Sequence, residues 1–252
     1  MEFFVEKESV VREIWAKADT ILFIFAGASA EFALNKAVDW LYFTGRLPAD
    51  PLGRLFTTVN YARTIVFSEK EAALHAIDKI TAIHTAVESK RGAKIPDWAY
   101  RDVLFMLIHY SIAAYELLER KLSPEEKEEV FNVFYRVGDR MGLTGLPATY
   151  TDWLQMRGEH LEHDLAKSDF TVDLYRQYKK HLGALRYRLL LEGQVLVVPE
   201  RVNELLSLGR LPILKPVIGM YKITRYLKLD WLLKHAILPP AYRSQINGLD
   251  VV

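Results

Sequence analysis

The sequence predicts an all-α protein that folds as a single domain over residues 1–252. Helix start and stop signals recur along the chain, apolar residues follow helical spacings, and no linker or internal repeat interrupts the pattern. Half of the residues are apolar and 26% are charged, which is typical of a soluble globular protein. A chain of this length can bury a full core and still enclose a ligand cavity.

The first predicted helix covers residues 20–30, the longest apolar stretch of the chain, between Asp19 and Glu31. It has about half the length that a bilayer-spanning helix needs, so we expect it to be buried in the core. Residues 1–8 lack the basic start and apolar stretch of a signal peptide, and the sequence contains no cysteine. We therefore expect a cytoplasmic protein without disulfides, thiolate metal ligands or cysteine nucleophiles.

Capping signals define the following helices. Asp50 is an N-cap followed by proline, and Ser68 and Ser123 each begin a predicted capping box. The helices that we predict from such signals cover residues 51–67, 69–90, 96–121, 124–141, 152–166 and 172–193. Residues 194–198 have a pattern that resembles a strand, and the chain then breaks into shorter pieces.

His84 interrupts the apolar face of the helix predicted over residues 69–90. That face has spacings of four, three, four and three residues, and an imidazole stands where the pattern requires a hydrophobic side chain. Burying the imidazole without a partner would cost roughly 1–3 kcal/mol, so we expect it either to be hydrogen-bonded in the core or to bind a metal. The face consists of Ala73, Ile77, Ile80, His84 and Val87.

A polar stripe runs along the preceding helix at positions i, i+3, i+4 and i+7. It consists of Arg54, Thr57, Thr58 and Tyr61, with the apolar residues Leu55, Phe56, Val59, Ala62, Ile65 and Val66 around them. Such a stripe is either a solvent-exposed face or the wall of a polar cavity. Beside the histidine of the next helix it suits a shared pocket, in which Arg54 pairs with an anionic group and the threonine hydroxyls orient a small ligand.

Other histidines have less specific patterns. His109 lies in the apolar residues 103–115 and is either a hydrogen-bonded core histidine or a residue that lines a pocket. His160 and His163 are spaced to hold a divalent metal, but their polar surroundings favour a solvent-exposed face. The sequence has no HExxH, no P-loop and no glutamate three residues before any histidine, which excludes a ferritin-like di-iron site.

The C-terminal third of the chain is basic. Residues 175–252 hold 13 basic and 5 acidic residues, a net charge of +8, whereas residues 1–174 carry −7. Over residues 201–252, basic residues alternate with aromatic ones, which suits a helical cap on the bundle or a membrane surface better than nucleic acid. We therefore keep peripheral membrane contact as a candidate interaction and expect no binding of nucleic acid. This basic–aromatic segment contains Arg210, Lys215, Lys222, Arg225, Lys228 and Lys234, with Tyr221, Tyr226 and Trp231.

Several short motifs follow one another in a characteristic order. They are Phe25-Ala26-Gly27-Ala28, Asp50-Pro51-Leu52-Gly53-Arg54 with Thr58, Ile83-His84-Thr85-Ala86-Val87, Leu107-Ile108-His109, Leu122-Ser123-Pro124-Glu125-Glu126 and Gly145-Leu146-Pro147. Over residues 10–200 this order and spacing resemble the catalytic domain shared by mpaB-type oxygenases and latex-clearing protein, a rubber oxygenase.

The resemblance implies an all-α bundle that encloses a haem b. His84 matches the family's axial iron ligand, and its other ring nitrogen is expected to be held by a hydrogen-bond acceptor. Arg54 and Thr58 match residues that line the family's haem pocket. The resemblance therefore implies that Arg54 lies near a haem propionate or dioxygen, and that Thr57 or Thr58 lies on the distal side.

Further site residues follow from the same resemblance. Tyr61 and His109 are additional candidates for the haem pocket. The family's acidic residue, proposed as a base, corresponds by rough position to Glu31 or Asp39. Latex-clearing proteins carry a lysine beside the pocket threonine, and this chain has Thr57 there.

The implied function is that of a haem b-dependent oxygenase. Such an enzyme uses dioxygen to act on a hydrophobic small molecule, and the expected reaction is oxidative cleavage of a C=C bond in an alkene or isoprenoid. Two alternatives stay open. The chain could be a haem-containing sensor or carrier of oxygen without turnover, or a haem-free helical interaction module that uses its basic–aromatic segment.

Overall fold

Helices form nearly all of the regular structure of the chain. The computed structural model describes residues 2–45, 49–209, 218, 219 and 221; within them there are no strands, and isolated bridges join Phe3 to Glu69 and Asn35 to Leu165. The chain is an all-α single domain, which confirms the predicted fold class. Its helices are α1 (Val10–Trp15), α2 (Ala18–Phe32), α3 (Asp39–Phe43), α4 (Pro51–Phe67), α5 (Lys70–Arg91), α6 (Asp97–Leu118), α7 (Pro124–Arg140), α8 (Tyr150–His163), α9 (Asp169–Val197) and α10 (Glu200–Leu206).

Helix α2 lies at the centre of the fold. It packs along α6 and α9, and most of its residues are buried, including Ile21 and Ile24. Residues 20–30 therefore belong to the buried core helix that their apolar composition predicts. The helix also buries Asp19 and Glu31, the charged residues on either side of the apolar stretch. Because burying a carboxylate is costly unless it is paired, these two positions require polar partners inside the fold.

The close approach of α2 to α6 depends on Gly27. A Cβ atom at this position would lie 2.2 Å from ring carbons of Tyr110 on α6, and Tyr110 is itself fully buried. We expect Gly27→Ala to lower the free energy of unfolding by about 1–3 kcal/mol, because the ring or the helix must shift within a packed core. Urea-induced unfolding followed by circular dichroism measures this change.

Gly158→Ala is the matched control for that substitution. Gly158 is an exposed glycine of α8, and an added Cβ atom there meets no heavy atom within 4 Å. Alanine should leave the stability unchanged or raise it by up to about 1 kcal/mol, because it has the higher helix propensity. Equal losses of stability in the two variants would contradict the packing explanation.

Side-chain hydrogen bonds confirm two predicted helix starts. Asp50 Oδ1 accepts a hydrogen bond of 2.9 Å from the backbone N–H of Gly53, and a proline lies in the first turn of α4. Ser123 forms the predicted capping box with Glu126 at the start of α7. Gly142 has a φ of 74° and follows the end of α7, as its place in the sequence predicts.

The capping box predicted at Ser68 is wrong. Helix α5 begins at Lys70, and Ser68 is instead the C-terminal cap of α4. The reason is a contact between distant parts of the chain. The N–H of Lys70 donates to the carbonyl of Glu2 at 3.0 Å, beside the bridge between Phe3 and Glu69. An extended N-terminal segment therefore satisfies the first amide of the helix, which a local serine was expected to cap.

Helices α6, α8 and α9 show the largest differences between predicted and observed boundaries, of three or four residues. Helix α8 begins two residues early, because Thr149 caps it through a box with Asp152. Helix α6 ends at Leu118, three residues before the predicted end. Helix α9 begins at Asp169, where Ser168 is the N-cap, and continues to Val197. Thr149 and Ser168 are the N-caps of α8 and α9, and Glu119 is the C-cap of α6.

The strand predicted over residues 194–198 is also wrong, since α9 continues through Val197. Gln194 is fully buried and holds this turn against α2. Its Oε1 accepts a hydrogen bond from the hydroxyl of Tyr175 at 3.0 Å, and its Nε2 donates to Ser29 Oγ at 3.2 Å. These tertiary contacts override the strand preference of the β-branched residues in the segment.

Most of the basic–aromatic segment lies outside the described residues. Of residues 201–252, the structure describes 201–209, 218, 219 and 221, so the predicted interaction of this segment falls on residues without a described structure. Tyr221 donates its hydroxyl hydrogen bond to Asp19 Oδ2 at 3.0 Å, which places it against α2. None of the described helices combines the length and the apolar character that a membrane-spanning segment needs.

Candidate functional site

The residues predicted to form a pocket lie on α4 and α5, which pack against each other. Helix α4 carries the polar stripe, and α5 carries the histidine of the apolar face. The apolar face of α5 becomes less buried towards the C-terminal end of the helix. Ala73 and Ile77 are buried, whereas Ile80, His84 and Val87 are only partly buried. The second half of α5 therefore presents apolar surface and a histidine that the described residues do not fully cover.

The imidazole of His84 is poorly satisfied by its surroundings. Its Nδ1 atom is buried and has no hydrogen-bond partner among the described residues. The ring lies against that of Tyr100, with the centroids 5.0 Å apart and the planes at 55°. Burial and then the positive charge of Arg54 lower the pKa of His84 to about 4, while Glu88 opposes this shift. The imidazole is therefore neutral at pH 7, which is the form that binds metals.

The polar stripe of α4 lies at the edge of the protein core. Arg54, Thr58 and Tyr61 are partly buried, and Thr57 is exposed. The hydroxyls of Thr57 and Thr58 donate to the carbonyl oxygens four residues earlier, at 2.9 and 3.3 Å. Each hydroxyl oxygen keeps its capacity to accept a hydrogen bond from a ligand. The structure thus places Arg54 near His84 and turns Thr57 towards solvent.

His109 lies in a different part of the protein. Its ring contacts that of Tyr110 edge-on, with centroids 4.9 Å apart. Burial and the charge of Arg157 lower the pKa of His109 to about 4, while Glu31 and a hydrogen bond with the backbone of Val197 oppose the shift. These neighbours lie on α2, α6, α8 and α9, so the structure places His109 beside a second group of polar residues.

That second group, the buried ion cluster, lies where α2, α6 and α8 meet. At its centre, both carboxylate oxygens of Glu31 accept hydrogen bonds from the guanidinium of Arg157. The hydroxyl of Tyr110 donates to the same carboxylate at 2.8 Å. All members of the cluster are buried: Glu31, Asn35, Asp102, Tyr110, Arg157 and His160.

His160 joins the two carboxylates of the buried ion cluster. Its Nε2 is 3.0 Å from Glu31 Oε1, and its Nδ1 is 2.8 Å from Asp102 Oδ1. The amide of Asn35 donates to the other oxygen of Asp102 at 3.1 Å. The prediction of a solvent-exposed face is therefore wrong for His160. His163 is exposed, so the two histidines do not share a metal site as their spacing had suggested.

The charges of the cluster stabilise one another. Burial alone would lower the pKa of His160, but the hydrogen bonds and charges of Asp102 and Glu31 raise it to about 9. Burial likewise opposes ionisation of Glu31, but Arg157 and His160 hold the pKa of Glu31 well below its usual range. Burial raises the pKa of Asp102, and His160 opposes that shift. Two cationic groups thus face two carboxylates in the buried interior of the protein.

The interpretation of α8 as solvent-exposed overlooked a signal in its sequence. Residues 153, 157, 160 and 164 are spaced by four, three and four, the same arrangement that identified His84 on α5. The first three of them, Trp153, Arg157 and His160, are buried. The spacing does not identify the partners of these side chains, because Glu31 lies 129 residues before His160.

The two acidic residues that match the family by rough position have different surroundings. Glu31 is the centre of the buried ion cluster. Asp39, on α3, accepts a hydrogen bond of 2.6 Å from Arg91 in the last turn of α5. The guanidinium of Arg91 also lies 3.9 Å from the centroid of the Trp40 ring. Asp39 therefore joins α3 to the helix that carries His84.

The surroundings of His84 fit a haem in three respects. The imidazole is neutral, the cationic Arg54 suits an anionic propionate, and the apolar face of α5 is partly uncovered. In addition, no described residue forms a hydrogen bond with Nδ1, so no protein group there competes with a ligand for this nitrogen. A buried nitrogen without a partner costs roughly 1–3 kcal/mol, so a ligand that satisfies this ring would stabilise the local structure.

Comparison with known proteins supports the resemblance in the motifs. The family described as "ER-bound oxygenase mpaB/B'/Rubber oxygenase, catalytic domain" matches residues 15–221, a range that contains both α4 and α5 and the buried ion cluster. The searches of curated proteins and of solved structures gave no match.

Proposed function

Because the chain belongs to the family of the mpaB/B' and rubber oxygenase catalytic domain, we propose that it is a haem b-dependent oxygenase. Its substrates are dioxygen and a hydrophobic small molecule, and the bond that it cleaves is a C=C bond of an alkene or isoprenoid. One observation carries the proposal: the imidazole of His84 is neutral, and its buried Nδ1 has no hydrogen-bond partner among the described residues.

Each residue of the pocket has a defined task in this proposal. His84 would hold the haem iron, and haem would supply the dioxygen chemistry when bound. Arg54 binds a haem propionate through a charge-assisted hydrogen bond, which agrees with its electrostatic effect on His84. Thr57 and Thr58 would use their hydroxyl oxygens to orient the small ligand. Tyr61 continues the same stripe one helical turn further.

The apolar surface near His84 supports a hydrophobic substrate. Ile80 and Val87 are partly buried, and 38% of Ile83 is exposed. Covering such side chains with an apolar ligand removes hydrocarbon surface from water, which is worth about 25 cal/mol per Å². In the proposed site these side chains bind the substrate and exclude water from it.

The proposal is tested on the full chain, produced with a haem precursor in the growth medium. We expect a Soret band, one iron per chain, and oxygen uptake that depends on an added hydrophobic alkene. The probes are a series of isoprenoids that includes squalene, and a carbonyl-specific reagent detects the cleavage products. Oxygen uptake that does not change when the alkene is added would contradict the proposed reaction.

Two results of the same experiment would identify the alternative functions. A stable complex with oxygen that consumes no hydrophobic substrate would indicate a sensor or carrier. A purified protein without Soret absorbance, despite the haem supply, would indicate a haem-free helical interaction module. The proposed cytoplasmic location, with peripheral membrane contact through residues 201–252, rests on the sequence pattern and on the basic charge of the C-terminal third.

A further inference from the structure

Three side chains of types that can bind metals converge at the end of α8, two of them members of the buried ion cluster. Asp102, His160 and Asp164 each offer one possible ligand atom, and these atoms all lie within 4.8 Å of one another. The Nδ1 atom of His160 is 2.8 Å from Asp102 Oδ1 and 3.4 Å from Asp164 Oδ2. One imidazole nitrogen and two carboxylate oxygens are a common ligand set for divalent transition metals.

The backbone fixes the position of Asp164. Its N–H donates to the carbonyl of His160 at 2.9 Å, and its own carbonyl accepts a hydrogen bond from the N–H of Lys36 at 3.0 Å. The bridge between Asn35 and Leu165 holds the same segment against the end of α2. These backbone contacts with α8 and with the segment after α2 hold Asp164 close to His160.

The other nitrogen of His160 has the partner that a metal-bound histidine usually has. Its Nε2 is 3.0 Å from Glu31, whose carboxylate is held in turn by Arg157 and Tyr110. A carboxylate that receives the second N–H of a ligating histidine fixes the orientation and the tautomer of the ring. Glu31 is placed to accept the Nε2–H, and Nδ1 faces Asp102 and Asp164. A metal bound at Nδ1 replaces the proton that this nitrogen otherwise donates to Asp102.

We propose that Asp102, His160 and Asp164 bind a divalent transition-metal ion, at a site separate from the one proposed around His84. Metal bonds of about 2.0–2.2 Å in a tetrahedral site place ligand atoms roughly 3.3–3.5 Å apart. The distance from His160 Nδ1 to Asp164 Oδ2, 3.4 Å, already meets this value. The distance from His160 Nδ1 to Asp102 Oδ1, 2.8 Å, needs to increase by about 0.5 Å. Three protein ligands leave a coordination position for water or a substrate.

One of the three proposed ligands reaches the protein surface. His160 and Asp102 are buried, whereas the side chain of Asp164 is 31% exposed. The metal would therefore enter from the surface past Asp164, which is also the ligand that can be changed with the least effect on the core.

Metal binding is measured with the full chain after treatment with a chelator and dialysis, by titration calorimetry with Zn²⁺ and by electron paramagnetic resonance with Mn²⁺. We expect one saturable site per chain and a rise in the thermal unfolding temperature on adding metal. Asp164→Asn should weaken binding at least 100-fold and abolish that rise. His163→Gln is the matched control, because this exposed neighbour is not part of the ligand set; it should bind as the wild type does.

Two further variants separate this site from its alternatives. His84→Ala should keep the metal site, since His84 belongs to the other proposed site. Asp102→Asn should lose metal binding while circular dichroism reports whether the helices are retained. Lack of saturable binding of both ions in the wild type, equal binding by Asp164→Asn, or loss of binding in His163→Gln would each overturn the proposal. His160 would then be a histidine that only links two buried carboxylates.

Discussion

Replacing His84 with alanine is expected to remove haem from the purified protein, so that the Soret absorbance is lost while the helical circular dichroism is kept. The reason is that the substitution removes the proposed axial ligand but breaks no protein hydrogen bond at Nδ1, which has none among the described residues. We expect the free energy of unfolding of the haem-free chain to change by about 1 kcal/mol or less. The lost packing and the removal of an unsatisfied buried nitrogen act in opposite directions.

His75→Ala is the matched control, because His75 is an exposed histidine nine residues earlier on the same helix. It should keep the haem content and spectrum of the wild type. If the His84→Ala protein retained haem with an unchanged spectrum, another residue would be the iron ligand. If both variants lost haem equally, the effect would belong to the stability of α5 and not to the imidazole.

Replacing Glu31 with glutamine is expected to lower the free energy of unfolding by about 3–5 kcal/mol. The change leaves the guanidinium of Arg157 in the core without its carboxylate, and breaking one partner of a buried ion pair typically has an effect of this size. For a chain of this length the loss corresponds to a decrease of about 10 °C in the unfolding temperature. Urea unfolding and differential scanning calorimetry measure the two quantities.

The control for this prediction is an ion pair on the surface. Asp78→Asn removes the carboxylate that binds Arg140 at 2.7 Å, and both side chains are 47% exposed. Exposed ion pairs are screened by water and contribute little to stability, so Asp78→Asn should have little effect. The double variant Glu31→Gln with Arg157→Gln should lose less stability than the sum of the two single losses. Replacing both residues leaves neither charge of the pair buried without its partner. Additive losses would contradict direct coupling of Glu31 and Arg157.

The sequence predicted the helices best where the signals are local. The caps at Asp50 and Ser123 satisfy backbone amides within three residues, so the pattern alone identifies them. The error at Ser68 arose because Glu2, 68 residues away from Lys70, supplies the hydrogen bond instead. The strand predicted over residues 194–198 failed for the same physical reason, since the contact of Gln194 with Ser29 crosses 165 residues of sequence.

The same distinction applies to the candidate sites. The spacing on α5 identified His84, and the structure brings Arg54 of the neighbouring helix close to it, as the polar stripe suggested. His160 also has a buried-face spacing on its helix. Its neighbours in the sequence are polar, however, and they led to the wrong prediction of a solvent-exposed face. Its carboxylate partners come from α2 and α6, and only the packing of these helices on α8 brings Glu31 and Asp102 to the ring.

Tyr110 contributes both to the contact of α2 with α6 and to the hydrogen bonding of Glu31. A smaller residue at position 110 would give space to an alanine at position 27, but it would also take a donor away from a buried carboxylate. A smaller residue at position 110 therefore cannot fully restore the stability lost with alanine at position 27 unless Glu31 is changed as well. Grafting this contact into a related scaffold should therefore succeed only when α2 and α6 are transferred together, with Gly27, Glu31 and Tyr110 in place.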